Sequence, residues 1–203
     1  NEFCRLDSEI PKETIREMFN DLSAFISTEP KIPEEKKNFI PSNVPDISVD
    51  DTREKIVHKI VSHAGKSELA LLTLYVYRQM DRTDWLPFVK AAIERNPVCF
   101  TDLNSKSTKE VYEILNTMSD ESVYDDQRLA LPDEVWNFRR GDGIEKALLL
   151  ADYILQKDKS GSLIMEIEKK NVLLIYNREK FNFRSHKSFR KKIRISGSTY
   201  IIS

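Results

Sequence analysis

Residues 131–156, LPDEVWNFRRGDGIEKALLLADYILQ, decide how this chain folds. From Ile144 to Leu155 apolar residues fall on nearly every face: Ile144, Ala147, Leu148, Leu149, Leu150, Ala151, Tyr153, Ile154 and Leu155. A helix of that kind sits at the centre of a domain rather than on its surface. Asp142 is its candidate N-cap, and Gly141 and Gly143 on either side let other groups approach the backbone closely. A helix start carries unpaired N–H groups and a partial positive charge, so it suits an anion or a thiolate. Arg139, Arg140, Asp142 and Gly143 are therefore the candidate site at this end of the helix.

Working outward toward the C-terminus, the hydrophobic period becomes two beyond Gly161. Leu163, Met165 and Ile167 alternate with polar residues, and strands are expected at 172–176, 180–184, 191–195 and 199–202. Turns are expected at 169–171, 177–179 and 196–198, which makes the strands an antiparallel meander over residues 162–203.

Upstream, the periods are helical. Ile15, Met18, Phe19, Leu22, Phe25 and Ile26 give an amphipathic helix over 11–28 behind Pro11. Residues 29–50 hold Pro30, Pro33, Pro41 and Pro45 without a period, which is the composition of an extended connector. Asp50 or Asp51 is expected to cap a helix running to about Ala64, with Ile56, Val57, Ile60 and Val61 inward and Gly65 ending it. Further helices are expected at 67–80, at 84–95, and at 107–118 behind a capping box of Ser107 and Glu110. Residues 119–133 are polar and irregular. The expected architecture is α+β. Residues 1–48 form a helix and connector, and 49–203 form one domain with helices to about 156 and a central helix packed on a C-terminal antiparallel sheet.

An apolar content of 40% and a charged content of 32% exclude wholesale disorder, and no apolar run approaches the ~20 residues of a membrane span. No apolar signal region is visible at the N-terminus, a pattern compatible with the cytoplasm or with export after a signal segment is removed. Cys4 and Cys99 give no metal spacing; they are two thiols or a single disulfide. His58 and His63 stand five apart, off the geometry of a helical metal pair, so neither a metal nor a cofactor is expected. Trp85 and Trp136 read as core or lid aromatics. The net charge of −1 conceals an asymmetry: residues 157–203 carry 12 Lys/Arg against 4 Asp/Glu, +8, and residues 1–156 carry 20 against 29, −9. Such a division marks an anionic partner or two mutually attracting halves.

The segment PDEVWNFRRGDGIEKALLLADYI resembles the signature of the transglutaminase-like superfamily of papain-type cysteine enzymes. There a lead-in of Pro, Glu and Val precedes a Gly–Asp–Cys that opens the central helix. The resemblance implies a nucleophilic Cys at the helix start, a base His on a following strand and an orienting acid on the next. Gly143 stands where the family has its Cys. His186, 43 residues further on, matches the place of the His, and after Glu179 the only Asp, Glu or Asn is Asn182. The resemblance thus implies the fold and argues against the chemistry, because a glycine has no nucleophile.

Three functions follow as expectations. The first is a catalytically inactive transglutaminase-like module that binds or scaffolds, with another protein or an anionic ligand as partner. The second is a hydrolase or transferase that uses a non-Cys group in the same cleft, for which Ser185, Asp142 and His186 are the candidates. The third is an anion-binding module, for glycan or nucleic acid, that uses the C-terminal basic face of Arg184, Lys187, Arg190, Lys191 and Lys192. Nucleic acid is the less favoured ligand, because Phe181, Phe183 and Phe189 are expected to face the core. At the helix start, Gly143 is expected to leave a vacant pocket that holds an anion weakly, with Arg140 supplying the affinity. The plainer expectation for Arg139 and Arg140 is solvated charge or pairing with Asp133 or Glu134.

Overall fold

The computed structural model describes residues 11–26 and 43–203. The chain divides into two compact units, Asn1–Pro41 and Ser42–Ser203. In the first, α1 (Lys12–Ile26) is an amphipathic helix whose Met18, Phe19 and Leu22 are exposed. Cys4 and most of the expected Pro-rich connector lie outside the described residues.

The second unit mixes helices and strands. Its helices are α2 (Arg53–His63), α3 (Glu68–Tyr77), α4 (Trp85–Glu94), α5 (Pro97–Leu103), α6 (Thr108–Thr117), α7 (Pro132–Phe138) and α8 (Gly143–Lys157). Then come β1 (Ser162–Tyr176), β2 (Glu179–Ser196) and β3 (Thr199–Ile202) in one antiparallel sheet of order β1-β2-β3. Every residue of α8 from Gly143 to Leu155 is buried, so the all-round apolar pattern does correspond to a central helix. One sheet face supplies Leu163, Met165, Ile167, Val172, Leu174, Phe181, Phe183, Ile193 and Ile195 to the core that α8 shares with α4 to α7. Among the described residues, no helix is long and apolar enough to cross a membrane.

Several boundaries differ from expectation for local reasons. The cap of α2 is Thr52, whose hydroxyl accepts the Lys55 N–H, while Asp51 pairs with Lys59 at 2.5 Å. The turn expected at 169–171 is a β-bulge within continuous strands. Register slips between Lys169 and Asn171, with Lys169 at φ 56°, and the expected strands fuse into one two-stranded ribbon. The real turns are at Asn177 and Arg178, both with positive φ, and at Gly197 (φ 54°). Two short helices escaped the periodic reading. Each has Pro in its first turn, and α5 is started from outside by Asp133, which accepts the N–H groups of Val98 and Cys99. In α3, ELALLTLYVY, only Ala70 and Leu74 are buried; Leu69 and Leu72 are about half exposed and Val76 is 81% exposed.

Candidate functional site

The start of α8 is saturated by its own chain. Asp142 is fully buried, and its Oδ1 accepts the Ile144 N–H at 3.0 Å and the Ser185 hydroxyl at 2.7 Å. Oδ2 accepts the His186 N–H at 2.6 Å. The expected N-cap is present, and the same carboxylate also reaches the side of β2 that faces away from β1. Glu145 completes a capping box by accepting the Asp142 N–H at 2.7 Å. The spacing Asp142-x-x-Glu145 is the sequence signal that could have identified Glu145 beforehand.

Gly143 closes the pocket expected of it. A Cβ built there would lie within 2.5 Å of the Arg184 carbonyl carbon and 3.0 Å of the Arg184 nitrogen, both backbone atoms. Strand and helix therefore touch backbone to backbone, which only glycine permits. The Arg184 peptide fills the place beside Gly143, and Asp142 already presents a carboxylate to this helix end. The expectation of a vacant anion pocket is corrected on both counts.

The residues named for an alternative hydrolase meet, though not as a catalytic set. Ser185 is buried, donates to Asp142, and accepts the Lys187 N–H at 2.9 Å. His186 contacts Asp142 through its backbone, and the residue is exposed. The base that reaches this hydroxyl is the Asp142 carboxylate rather than the His186 ring, and hydroxyl and carboxylate are both buried.

Beneath the irregular segment 119–131 lies a group of buried charges that periodicity did not reveal. Lys187 Nζ donates to Ser122 Oγ at 2.9 Å, to the Tyr124 carbonyl at 3.3 Å and to the Arg128 carbonyl, and it sits 3.4 Å from Glu145 Oε1. Glu145 Oε1 also accepts the Ser122 hydroxyl at 2.6 Å and the Ala130 N–H at 2.8 Å. Lys146, its side chain only 1% exposed, donates to the Met118 carbonyl at 2.8 Å and to Asp120 at 2.7 Å. Above them the Arg128 guanidinium lies between the rings of Tyr77 and Tyr124, 4.0 and 4.3 Å from their centroids. Cations thus take the carbonyl groups of a segment that has no ladder of its own.

Arg139 and Arg140 serve this packing too. Arg139 ends α7 in a left-handed conformation with its guanidinium 3.4 Å over the Trp136 ring. Arg140 donates to the Ser122 carbonyl at 2.7 Å and pairs with Glu121 at 3.3 Å. The suggested partners are engaged elsewhere: Glu134 binds Arg78, and Asp133 starts α5. Arg140, His186 and Lys187 do line one shallow depression of about 570 Å³, together with Tyr124, Asp125 and Asp126. Glu121, Asp125 and Asp126 share its lining with Arg140 and Lys187, which favours no anion.

The basic face also divides. Lys187 points inward and is buried, and Lys191 shares that inward parity and is half-buried. On the outer face Arg190 pairs with Glu168 at 3.1 Å and Lys192 with Glu166 at 2.5 Å across the β1–β2 ladder. Of the five residues named for the face, only Arg184 remains exposed and without an ion pair among the described residues. Phe181 and Phe183 are buried, and Phe189 packs edge-on against Trp85 at 5.0 Å, so no aromatic platform faces outward with the bases. No group of His, Cys, Asp and Glu among the described residues is arranged to hold a metal.

Neither the protein-family models, nor the curated proteins, nor the solved structures contain a match to this chain.

Proposed function

We propose that the chain is a catalytically inactive, transglutaminase-like module that works by binding another protein. The observation carrying this reading is the contact between Gly143 and the Arg184 peptide. Where the family resemblance places a nucleophile, this chain has neither a side chain nor room for one. The order of a buried central helix followed by antiparallel strands supports the resemblance, as do the Asp142 cap and the position of His186. Binding rather than chemistry is supported by the exposed apolar side chains of α3, since exposed apolar patches of this kind mark interaction surfaces.

The test is an activity assay of the intact chain on glutamine-containing peptides, with and without an amine acceptor, before and after iodoacetamide. No turnover is expected in any arm. Turnover abolished by alkylation would overturn the reading. So would hydrolysis lost in Ser185→Ala or His186→Ala.

A further inference from the structure

We propose that the Asp152 carboxyl is a proton-controlled clamp on the start of α5. Protonated, it holds Cys99 and with it the helix; ionised, it faces a second carboxylate at the same place and α5 loosens.

The geometry is a junction of four helices around one buried acid. Asp152, on α8, is fully buried, and no Lys or Arg pairs with it among the described residues. Its polar contacts are neutral. Gln156 Nε2 donates to Oδ1 at 2.8 Å, and the Cys99 sulfur lies 3.3 Å from Oδ2. From α7, the Asp133 carboxylate takes the Val98 and Cys99 N–H groups at 3.2 and 2.8 Å, so α5 begins between two acids on two different helices. Asn96 completes the junction. Its amide donates to the Ala91 and Ala92 carbonyls of α4, its side-chain oxygen accepts the Asp133 N–H, and its own carbonyl accepts Gln156 Nε2. From β3 and the end of α4, Tyr200 and Glu94 lie on this side, and Lys159 lines the same depression as Gln156 without an ion pair to Asp152 among the described residues. Cys99 is a free thiol.

A buried carboxyl without a cation, beside another carboxylate, favours its neutral form. Burial first, then the charge of Asp133, push Asp152 up to about 7 against the pull of Gln156 and Cys99. The neutral form fits the contacts present. The thiol that donates to the ionised carboxylate turns to the Asn96 carbonyl 3.5 Å away when the O–H takes over as donor to the Cys99 sulfur. Loss of the proton leaves two negative groups on one thiol-bearing turn, and the proton passes to solvent. Gln156 lines an open depression of about 410 Å³, which gives that proton a short route.

The experiment is amide hydrogen exchange on the intact chain between about pH 6 and pH 8, corrected for intrinsic rates, comparing Cys99–Leu103 with Val111 and Leu115 of α6. Opening that frees Asp152 to its ordinary value should rise about tenfold over this range and level above it, in α5 and not in α6. Asp152→Asn should abolish the rise. The ¹³C-carboxyl resonance of Asp152 in the unmodified chain should titrate near pH 7, a readout that needs no variant to fold. Flat α5 protection, an equal rise in α6, the same slope in Asp152→Asn, or a carboxyl titrating near pH 4 would each overturn the clamp.

Discussion

The Asp142 carboxylate and the His186 backbone N–H, 44 residues apart in sequence, meet at 2.6 Å and join the start of α8 to β2. The Tyr112 hydroxyl does the same at Asn182, accepting its N–H at 3.3 Å and donating to its carbonyl at 2.9 Å. Along the half of β2 that β3 does not reach, side chains and a helix start thus take the place of a partner strand.

Replacing Asp142 should therefore cost more than the loss of a helix cap. Asp142→Ala strands the Ile144 N–H, which is buried, and the His186 N–H, and leaves the Ser185 hydroxyl only the Lys187 peptide; a charge-assisted bond is worth about 1.5–3 kcal/mol. Urea unfolding should show a loss of about 3–5 kcal/mol, against ~1 kcal/mol for an ordinary exposed cap. Asp142→Asn, which keeps one acceptor, should lose about half as much.

At Gly143 two effects oppose each other. Alanine is a better helix residue than glycine by up to about 1 kcal/mol. The added Cβ, however, meets strand backbone that cannot rotate away, and overpacking of this kind costs about 1–3 kcal/mol or more. Gly143→Ala should lower the thermal midpoint, and Gly143→Cys should do so further without yielding a rapidly alkylated thiol. A stabilised Gly143→Ala would show that β2 gives way.

Removing the charge of Lys187 should leave Glu145 buried with an uncompensated charge. Such losses cost about 3–5 kcal/mol, whereas removing both partners costs much less. A double-mutant cycle of Lys187→Met and Glu145→Gln should give a coupling of about 1–3 kcal/mol. Hydrogen exchange in residues 119–131 should rise in Lys187→Met, since that segment loses the donor to Tyr124 and Arg128.

Glu134 sets an acid limit. Burial works to raise its carboxyl, but Arg78, the Leu131 N–H and the Tyr124 hydroxyl outweigh it and hold the group below the ordinary glutamate value. The stability this contributes is present above pH ~4.5 and is lost as pH falls through the lower value in the folded state. Glu134→Gln should be less stable than the parent by about 1–3 kcal/mol at neutral pH. The difference should close as pH falls from about 5 to about 3.

Sequence revealed the parts governed by period. The apolar stretch of α8, the alternation in β1 and β2, and the Ser107 capping box each follow from spacing within a few residues. Asp142 was legible as a cap because capping is local. Its bonds to Ser185 and His186 were not, since they join positions brought together only by the sheet. The bulge at Lys169 looks like a turn in sequence, because a run of Glu168, Lys169, Lys170 and Asn171 breaks the alternation as a turn would. At the start of α8 residue type alone is a poor guide to chemistry. Two arginines and a glycine at a helix start suggest an anion site, but Arg139 covers Trp136, Arg140 holds the segment above, and Gly143 admits a strand.

The bulge has a bearing on how chains meet one another. With β2 covered by α8, Tyr112 and β3, the edges of the sheet are the four-residue β3 and the much longer β1. There the slip between Lys169 and Asn171 splits the exposed edge into two runs whose pleats are out of step. An arriving strand could follow residues 162–168 or 171–176, but not both in one register, and Glu168, Lys169 and Lys170 crowd charge at the break. The long margin of the sheet is therefore a poor template for fibrous growth, and the other, along β3, is only four residues long.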